Sequence, residues 1–215
     1  MRIQPYRLLL AVTLIASLLN ISAAPAATSA QSTPAPIRLR AATFTPALGE
    51  TPNIPAALRL SGYGAAQRGY FIVQFRGPVE AAWKDQVTAV GAELLDYIPD
   101  FAFKVRMTPA EAAQVRRLAS VGSVTIFHPA FKLNPDLIRS GEARPYVVTL
   151  EQGADGAVVA AALQAAGVEV LAADGRELLV GATSAQIDLI ALVLDVAWVD
   201  NLVLPETHGA LQNEY

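Results

Sequence analysis

Two patterns of apolar residues alternate along most of the chain. Residues 70–75, Tyr-Phe-Ile-Val-Gln-Phe, form an aromatic and β-branched run that a Gly-Pro pair ends, which is typical of a β-strand. Trp83, Val87 and Val90 then recur at helical spacing with polar residues between them. Three more strand-like runs follow, at residues 92–97, 101–107 and 121–127. With a second helical run before the last of them, the pattern predicts the element order β-α-β-β-α-β.

The second predicted helix begins with a recognisable capping signal. Thr108 suits the N-cap, Pro109 suits the first helical position and Glu111 completes a capping box. The same kind of signal returns at residues 183–186, Thr-Ser-Ala-Gln, 75 residues further along. A second copy of the same arrangement is therefore expected in the C-terminal half of the chain.

Other features recur at nearly the same offset. Tyr146, which opens a strand-like run, follows Tyr70 by 76 residues, and the helix-ending Gly167 follows Gly91 by 76 residues as well. Turns, breakers and caps that repeat at a nearly constant offset indicate an internal duplication.

The duplication predicts an α+β fold class: two tandem ferredoxin-like β-α-β-β-α-β modules, each an antiparallel four-stranded sheet with its helices on one face. The other face of each sheet would be open to a partner, unless the two modules cover each other, and the sequence leaves both possibilities open. The predicted organisation is a signal peptide (1–30), a Pro/Ala-rich linker (31–69), a first module (70–133), a linker (134–145), a second module (146–204) and an extended C-terminal tail (205–215).

The N-terminus has the order of a secretory signal peptide. Arg2 and Arg7 precede an apolar run at residues 8–19, and small residues follow up to Ala30. Since about 20 apolar residues are needed to span a bilayer, we expect cleavage rather than a stable membrane anchor. The candidate cleavage points are Ala24, Ala27 and Ala30. The predicted location is secreted or extracytoplasmic.

Composition narrows the chemistry. The chain has 215 residues, a net charge of −3 and no cysteine, which excludes disulfides, thiolate metal sites and a cysteine nucleophile. No clustered basic run suggests nucleic acid as a partner. Of the two histidines, His128 lies at a strand end and His208 in the tail, and neither has a triad pattern around it. The sequence predicts no catalytic residue, no metal ligand, no cofactor and no enzymatic activity on this chain.

Four segments carry a family resemblance. They are residues 70–78 (YFIVQFRGP), 95–100 (LDYIPD), 106–111 (RMTPAE) and 127–133 (FHPAFKL). Together they resemble the N-terminal propeptide of secreted bacterial subtilisin-like (S8 family) serine proteases, of the fervidolysin and inhibitor-I9-like types. The resemblance covers residues 70–133, and in the second predicted module it rests on pattern.

The resemblance implies a function. Such a propeptide packs its sheet on the catalytic domain of the protease, assists its folding and blocks its cleft with a C-terminal tail. In this sequence the matching tail is Leu202, Val203, Leu204, Pro205, Glu206, Thr207 and His208. The catalytic domain normally follows, whereas this sequence runs only to Tyr215 and contains no Asp/His/Ser catalytic blocks, so hydrolytic activity is not carried over.

Two hypotheses of different class remain after this comparison. In the first, the chain is the propeptide region of a subtilisin-like endopeptidase, acting as intramolecular chaperone and inhibitor, either as a truncated precursor or as a stand-alone protein. In the second, it is a secreted ligand-binding or scaffold module of ACT-like type, in which paired ferredoxin-like units hold a small ligand. The sequence does not identify the target protease or its specificity.

Overall fold

A computed structural model describes residues 34–203. The predicted signal peptide and the predicted tail from residue 205 onward lie outside this range. Among residues 34–203, no helix combines the length and the apolar character that a bilayer crossing requires.

The helices and strands follow the predicted order, with two additional short strands at the start, β1 (Ile37–Arg38) and β2 (Thr43–Phe44). The first half, residues 69–126, contains β3 (Gly69–Phe75), α1 (Ala81–Ala89), β4 (Glu93–Ile98), β5 (Ala102–Met107), α2 (Pro109–Val115) and β6 (Val121–Ile126). The second half, residues 144–201, contains β7 (Arg144–Leu150), α3 (Gly156–Ala165), β8 (Glu169–Asp174), β9 (Glu177–Ala182), α4 (Ser184–Leu192) and β10 (Val196–Asn201).

The described residues form an α+β structure with three antiparallel sheets. The first sheet has the strand order β4-β5-β3-β6, and the second has the order β10-β7-β9-β8. Corresponding strands of the two halves therefore hold the same positions in their sheets. The third sheet consists of β1 and β2 alone. The prediction contained one sheet per module and no sheet before residue 70, so this small sheet is a difference.

The repeated caps and breakers have the predicted local geometry. The Thr108 N–H donates to Glu111 Oε2 (2.7 Å), and the Glu111 N–H donates to Thr108 Oγ1 (3.3 Å). In the second half the Thr183 N–H donates to Gln186 Oε1 at 2.8 Å. The helix-ending glycines both adopt positive φ angles, which Gly tolerates best, with +100° at Gly91 and +80° at Gly167.

In each half the two helices cover one face of the sheet. The buried side chains between α1, α2 and the first sheet are Phe71, Val73, Phe75, Val87, Val105, Met107, Ala112 and Val115. Those between α3, α4 and the second sheet include Tyr146, Val148, Leu150, Val159, Leu163, Val180, Ile187 and Ile190. The alternating apolar residues of the strands thus face the helices, as their period of two requires.

The other face of the first sheet is covered by the chain's own N-terminal segment together with the second half, since Tyr70 bonds Asp195 and Lys104 bonds Glu151. Four apolar residues of that segment are buried in one cluster with Tyr70 and Ile72; they are Ile37, Phe44, Ile54 and Leu58. The segment predicted as a Pro/Ala-rich linker, residues 31–69, thus contributes four buried residues between 37 and 58 to the core. The four buried residues are irregularly spaced along the segment. The sequence therefore shows neither the helical nor the strand period of apolar residues there.

One cluster of buried residues extends from the first sheet into the second half. Phe127 and Phe131, which follow β6, belong to the same cluster as the helices and strands of the second half. Beyond them Leu133 forms a parallel bridge with Val199 of β10, and the Asn134 N–H donates to Val199 O at 3.1 Å. The two halves consequently share a core, and the start of the predicted linker 134–145 lies along the free edge of β10.

Candidate functional site

The face of the second sheet that points away from its helices is accessible. On β7, Tyr146, Val148 and Leu150 are buried, whereas Val147 between them is only half-buried. Val147 pairs with Leu179 of β9, which is also half-buried. The second sheet therefore has an apolar face that its own helices do not cover.

Leu171 of β8 extends this face. A Cβ built on Gly181, which lies between two core-facing residues of β9, would be 3.9 Å from Leu171 Cδ1. The Leu171 side chain must therefore be on the outer side, where 48% of its surface is exposed. We define the open face as Val147, Leu171 and Leu179.

The C-terminal segment leaves the second sheet from its edge. β10 is the strand at that edge and ends at Asn201; Leu202 is half-buried and Val203 is 80% exposed. These are the first two residues of the docking tail that the sequence predicts. The remaining predicted tail residues, Leu204, Pro205, Glu206, Thr207 and His208, lie outside the described part of the chain.

Hydrogen bonds fix the point where the tail begins. Asn201 Oδ1 accepts a hydrogen bond from the Ile138 N–H at 2.9 Å, and Asn201 Nδ2 donates to Asp136 O at 3.0 Å. One residue earlier, Asp200 Oδ1 accepts from Asn134 Nδ2 at 2.7 Å. The end of β10 is thus held by the segment that joins the two halves.

A cleft with a volume of about 300 Å³ lies where the two halves meet. Phe127 and Phe131, whose rings are 5.6 Å apart in an edge-on arrangement, form part of its lining. The exposed side chains of Arg40, Asp96 and Arg176 also line it. The cleft therefore combines aromatic walls with charged groups that solvent reaches.

The two arginines are held in place by the protein. Arg40 Cζ lies 4.9 Å from the centroid of the Trp198 ring, and Trp198 Nε1 donates to Asp200 Oδ2 at 3.2 Å. Arg176 donates to Leu150 O through Nε (3.1 Å) and Nη2 (2.6 Å). Both guanidinium groups are consequently oriented before any ligand is present.

A buried ion pair crosses between the halves beside this cleft. Lys104 Nζ of β5 bonds Glu151 Oε1, and their side chains are only 5% and 1% exposed. Burial lowers the pKa of Lys104 and raises the pKa of Glu151, because desolvation disfavours both charged forms, and their mutual attraction opposes both shifts. Lys104 Nζ also lies 4.2 Å from the Phe127 ring centroid.

Two further buried polar contacts connect the second half to the first half and to the segment that follows β6. Lys132 Nζ donates to the carbonyl oxygens of Val193 (2.8 Å) and Leu194 (3.0 Å). Burial, with a smaller contribution from the charge of Lys104, lowers the pKa of Lys132 to about 7. The Tyr70 hydroxyl donates to Asp195 Oδ1 at 2.7 Å, and burial followed by this hydrogen bond raises the pKa of Tyr70.

Sequence reasoning missed the roles of two of these residues. Nothing in the sequence around Asp195 indicates a distant partner, but it accepts the Tyr70 hydroxyl from the other half. The residues next to His128 in sequence indicate no partner, yet its Nδ1 accepts from the Leu60 N–H at 3.1 Å, and burial lowers its pKa. Both partners are distant in sequence, so no local pattern could reveal them.

The described residues bring together no group that resembles a metal site. Within residues 34–203, no three His, Asp or Glu side chains cluster in a way that could hold a metal ion. The other histidine considered in the sequence, His208, lies outside this range.

Comparison with known proteins gives one match. A family model described as "Domain of unknown function (DUF8729)" matches residues 38–128. This range begins in β1 and ends two residues after β6, so it joins the N-terminal segment to the first half, as the packing does. No curated protein and no solved structure matches the chain.

Proposed function

We propose that this chain is the propeptide region of a secreted subtilisin-like serine protease, acting as chaperone and inhibitor of its catalytic domain. The observation that carries the proposal is the pairing of an open sheet face with the exposed Val203, at which the predicted tail leaves the same sheet. The open face would pack on the catalytic domain, while Leu202 to His208 would occupy its substrate groove.

The strand order supports a ferredoxin-like interpretation of both halves. If the four strands of each half are numbered in chain order, both sheets have the order 4-1-3-2. This order is β6-β3-β5-β4 in the first half and β10-β7-β9-β8 in the second. All neighbouring strands in these sheets are antiparallel. This is the arrangement expected for two ferredoxin-like modules, to which the sequence resemblance also points.

The packing favours the second half as the docking module. The outer face of the first sheet is already covered by the second half and by the N-terminal segment, whose buried residues are Ile37, Phe44, Ile54 and Leu58. The corresponding face of the second sheet keeps Val147, Leu171 and Leu179 accessible. The first half would then act as a support that holds the second half and the start of its tail in place.

The tail is suited to binding in extended form. Val203 lies two residues beyond the end of the edge strand β10 and is 80% exposed. An extended segment that leaves a sheet edge can form backbone hydrogen bonds with a substrate groove. In a tethered precursor the effective concentration would be high, so modest intrinsic affinity would be sufficient for inhibition.

An inhibition assay tests the proposal. The purified chain without residues 1–30 is added to a panel of secreted bacterial subtilisin-like proteases, with a chymotrypsin-like serine protease as a specificity control. We expect competitive inhibition of at least one subtilisin-like enzyme at micromolar concentration and none of the control enzyme. Absence of inhibition across the whole panel at micromolar excess would contradict the proposal.

Paired substitutions separate the tail from general surface effects. Deleting residues 202–215 or introducing Val203→Asp is expected to weaken inhibition at least tenfold. Val158→Asp, at a valine of α3 that is 63% exposed, is the matched control and should leave inhibition unchanged. Equal effects of the two valine substitutions would argue against a docking tail.

The open face has its own test. Leu171→Glu should reduce both inhibition and the yield with which the chain assists refolding of the inhibited protease, because it places a charge on the contact surface. Leu189→Glu, at a residue of α4 that is 41% exposed, serves as the control. If Leu171→Glu is as active as the control, the open face does not dock.

A further inference from the structure

The cleft between the two halves has features of a ligand site that the proposed docking role does not use. It lies beside Trp198 and Thr149, and Thr149 is two residues from Val147 on the same side of β7, so the cleft adjoins the open face without including Val147, Leu171 or Leu179. Its volume of about 300 Å³ is at the lower end of the range for small-molecule sites.

The charges of the lining favour an anion. Arg40, Arg176 and Lys104 contribute three cations, of which Lys104 is paired with Glu151. Among the residues that the structure describes, Asp96 is the acidic side chain in the lining. Two arginines against one aspartate leave a net positive charge among the lining residues, and Asp200, which lies outside the lining, faces Arg40 from behind Trp198.

Both arginines keep donors available for a ligand. Within residues 34–203, Arg40 stacks on Trp198 without an ion pair, and the two contacts of Arg176 to Leu150 O use Nε and Nη2 and leave Nη1. Because these contacts already orient the guanidinium groups, little side-chain entropy is lost when they bind a carboxylate.

The walls of the cleft are apolar and aromatic. Phe127, Phe131, Ile98 and Leu39 line it, and the first three are buried in the shared core. Such walls favour binding of a ligand with an apolar group, because that group is removed from water on binding. A bare inorganic anion has no apolar group to bury.

We propose that this cleft binds a small amphipathic carboxylate, an acid with an aromatic or branched aliphatic body. Its carboxylate contacts Arg40 and Arg176, and its body lies against Phe127 and Phe131. A ligand in this cleft lies between Ile98 of the first half and Arg176 of the second half and therefore stabilises the association of the halves.

Isothermal titration calorimetry of the chain without residues 1–30 tests this inference, with N-acetyl-L-phenylalanine as the probe. We expect saturable binding with one site per chain. N-acetyl-L-phenylalaninamide, which has the same body without the carboxylate, should bind at least tenfold more weakly. Raising the salt concentration should weaken binding of the acid but not of the amide.

Substitutions that remove either a positive or a negative charge from the lining test whether the ligand binds in this cleft. Arg40→Gln and Arg176→Gln are each expected to weaken binding about tenfold, and Asp96→Asn should strengthen it about twofold by removing the negative charge. Arg117→Gln, at an exposed arginine just beyond α2, is the control and should have no effect. Arg40 and Asp96 are exposed, so their variants should fold even if Arg176→Gln is less stable.

Two outcomes would overturn the inference: absence of saturable binding by the acid, or equal affinity for the acid and the amide. Unchanged binding in Arg40→Gln and Asp96→Asn would place any ligand elsewhere and would overturn it too. No protease is present in these assays, so their outcome is independent of the proposed inhibitory function.

Discussion

Buried charged and polar residues join the two halves at the residue scale. Lys104 bonds Glu151, and Tyr70 bonds Asp195, in each case across the boundary between the halves. Such groups are costly to bury unless each finds its partner. They therefore favour the one arrangement of the halves in which all partners meet.

Breaking the Lys104–Glu151 pair from one side should destabilise the fold strongly. We expect Lys104→Met and Glu151→Leu each to lower the free energy of unfolding by about 3–5 kcal/mol, since each leaves a buried charge unpaired. The loss of unfolding free energy in the double variant should be smaller than the sum of the losses in the two single variants. Urea denaturation measures all three variants.

The exposed ion pair Arg139–Asp188 provides the comparison, because its side chains are 36% and 37% exposed. Arg139→Met should cost no more than about 1 kcal/mol. Strict additivity of the two substitutions at the buried pair would mean that Lys104 and Glu151 do not interact energetically.

Lys132 should make stability depend on pH. Its pKa is lowered to about 7 in the folded state from an ordinary value of 10.5, so between these values the unfolded chain binds more protons. The free energy of unfolding should therefore rise with pH above about 7, with a contribution of up to about 1.4 kcal/mol per pH unit.

Urea denaturation between pH 7 and 9.5 checks this dependence. The rise should be smaller in Lys132→Met, whereas Lys84→Met, at an exposed lysine of α1, should behave as the unmodified chain does. A rise of the same steepness in Lys132→Met would contradict the assignment to this residue.

At the scale of elements, α1 and α3 are each followed by a glycine, but the space around the two glycines differs. Gly91 and Gly167 both have positive φ angles. A Cβ at Gly91 would lie 2.7 Å from Glu111 Oε1, whereas a Cβ at Gly167 would be 3.9 Å from Gln186 Nε2. Glu111 is also the residue that closes the capping box of α2.

Gly91→Ala should consequently destabilise more than Gly167→Ala. In both variants an Ala in the left-handed region lowers the free energy of unfolding by about 1 kcal/mol. Gly91→Ala also disturbs the capping box of α2, which lowers it by about 1 kcal/mol more. Thermal denaturation measures both. Gly77→Ala is the control, because a Cβ there would meet nothing within 4 Å; equal losses at Gly91 and Gly167 would rule out the contribution of the cap.

At the scale of the whole molecule, the shared core predicts that the two halves unfold together. The cluster that contains Ile37 and Ile72 also contains Val148, Ile187 and Ile190. The separation of the halves would expose this cluster and the buried ion pair at once. Neither half is therefore expected to remain folded when the other unfolds.

The two tryptophans report on the two halves separately, since Trp83 lies in α1 and Trp198 in β10. Fluorescence of the single-tryptophan variants Trp83→Phe and Trp198→Phe during urea denaturation should give the same transition as circular dichroism recorded on each variant. A fluorescence midpoint that departs from that of circular dichroism in either variant would show that the halves unfold independently.

The sequence by itself determined the order of the elements, their caps and the return of that order in the second half. These features depend on neighbouring residues: the period of apolar side chains, the left-handed glycines Gly91 and Gly167, and the capping residues Thr108 and Thr183. Local geometry is encoded locally, so most of it could be read before the structure was known.

Only the tertiary structure decided which sheet face is covered and where the halves meet. Ile37 and Leu58 were interpreted as linker residues because an irregular segment that is buried point by point has no period. The partners of Lys104, Tyr70 and His128 lie 47, 125 and 68 residues away, respectively. Contacts over such distances depend on how the whole chain packs, and no local pattern in a single sequence records them.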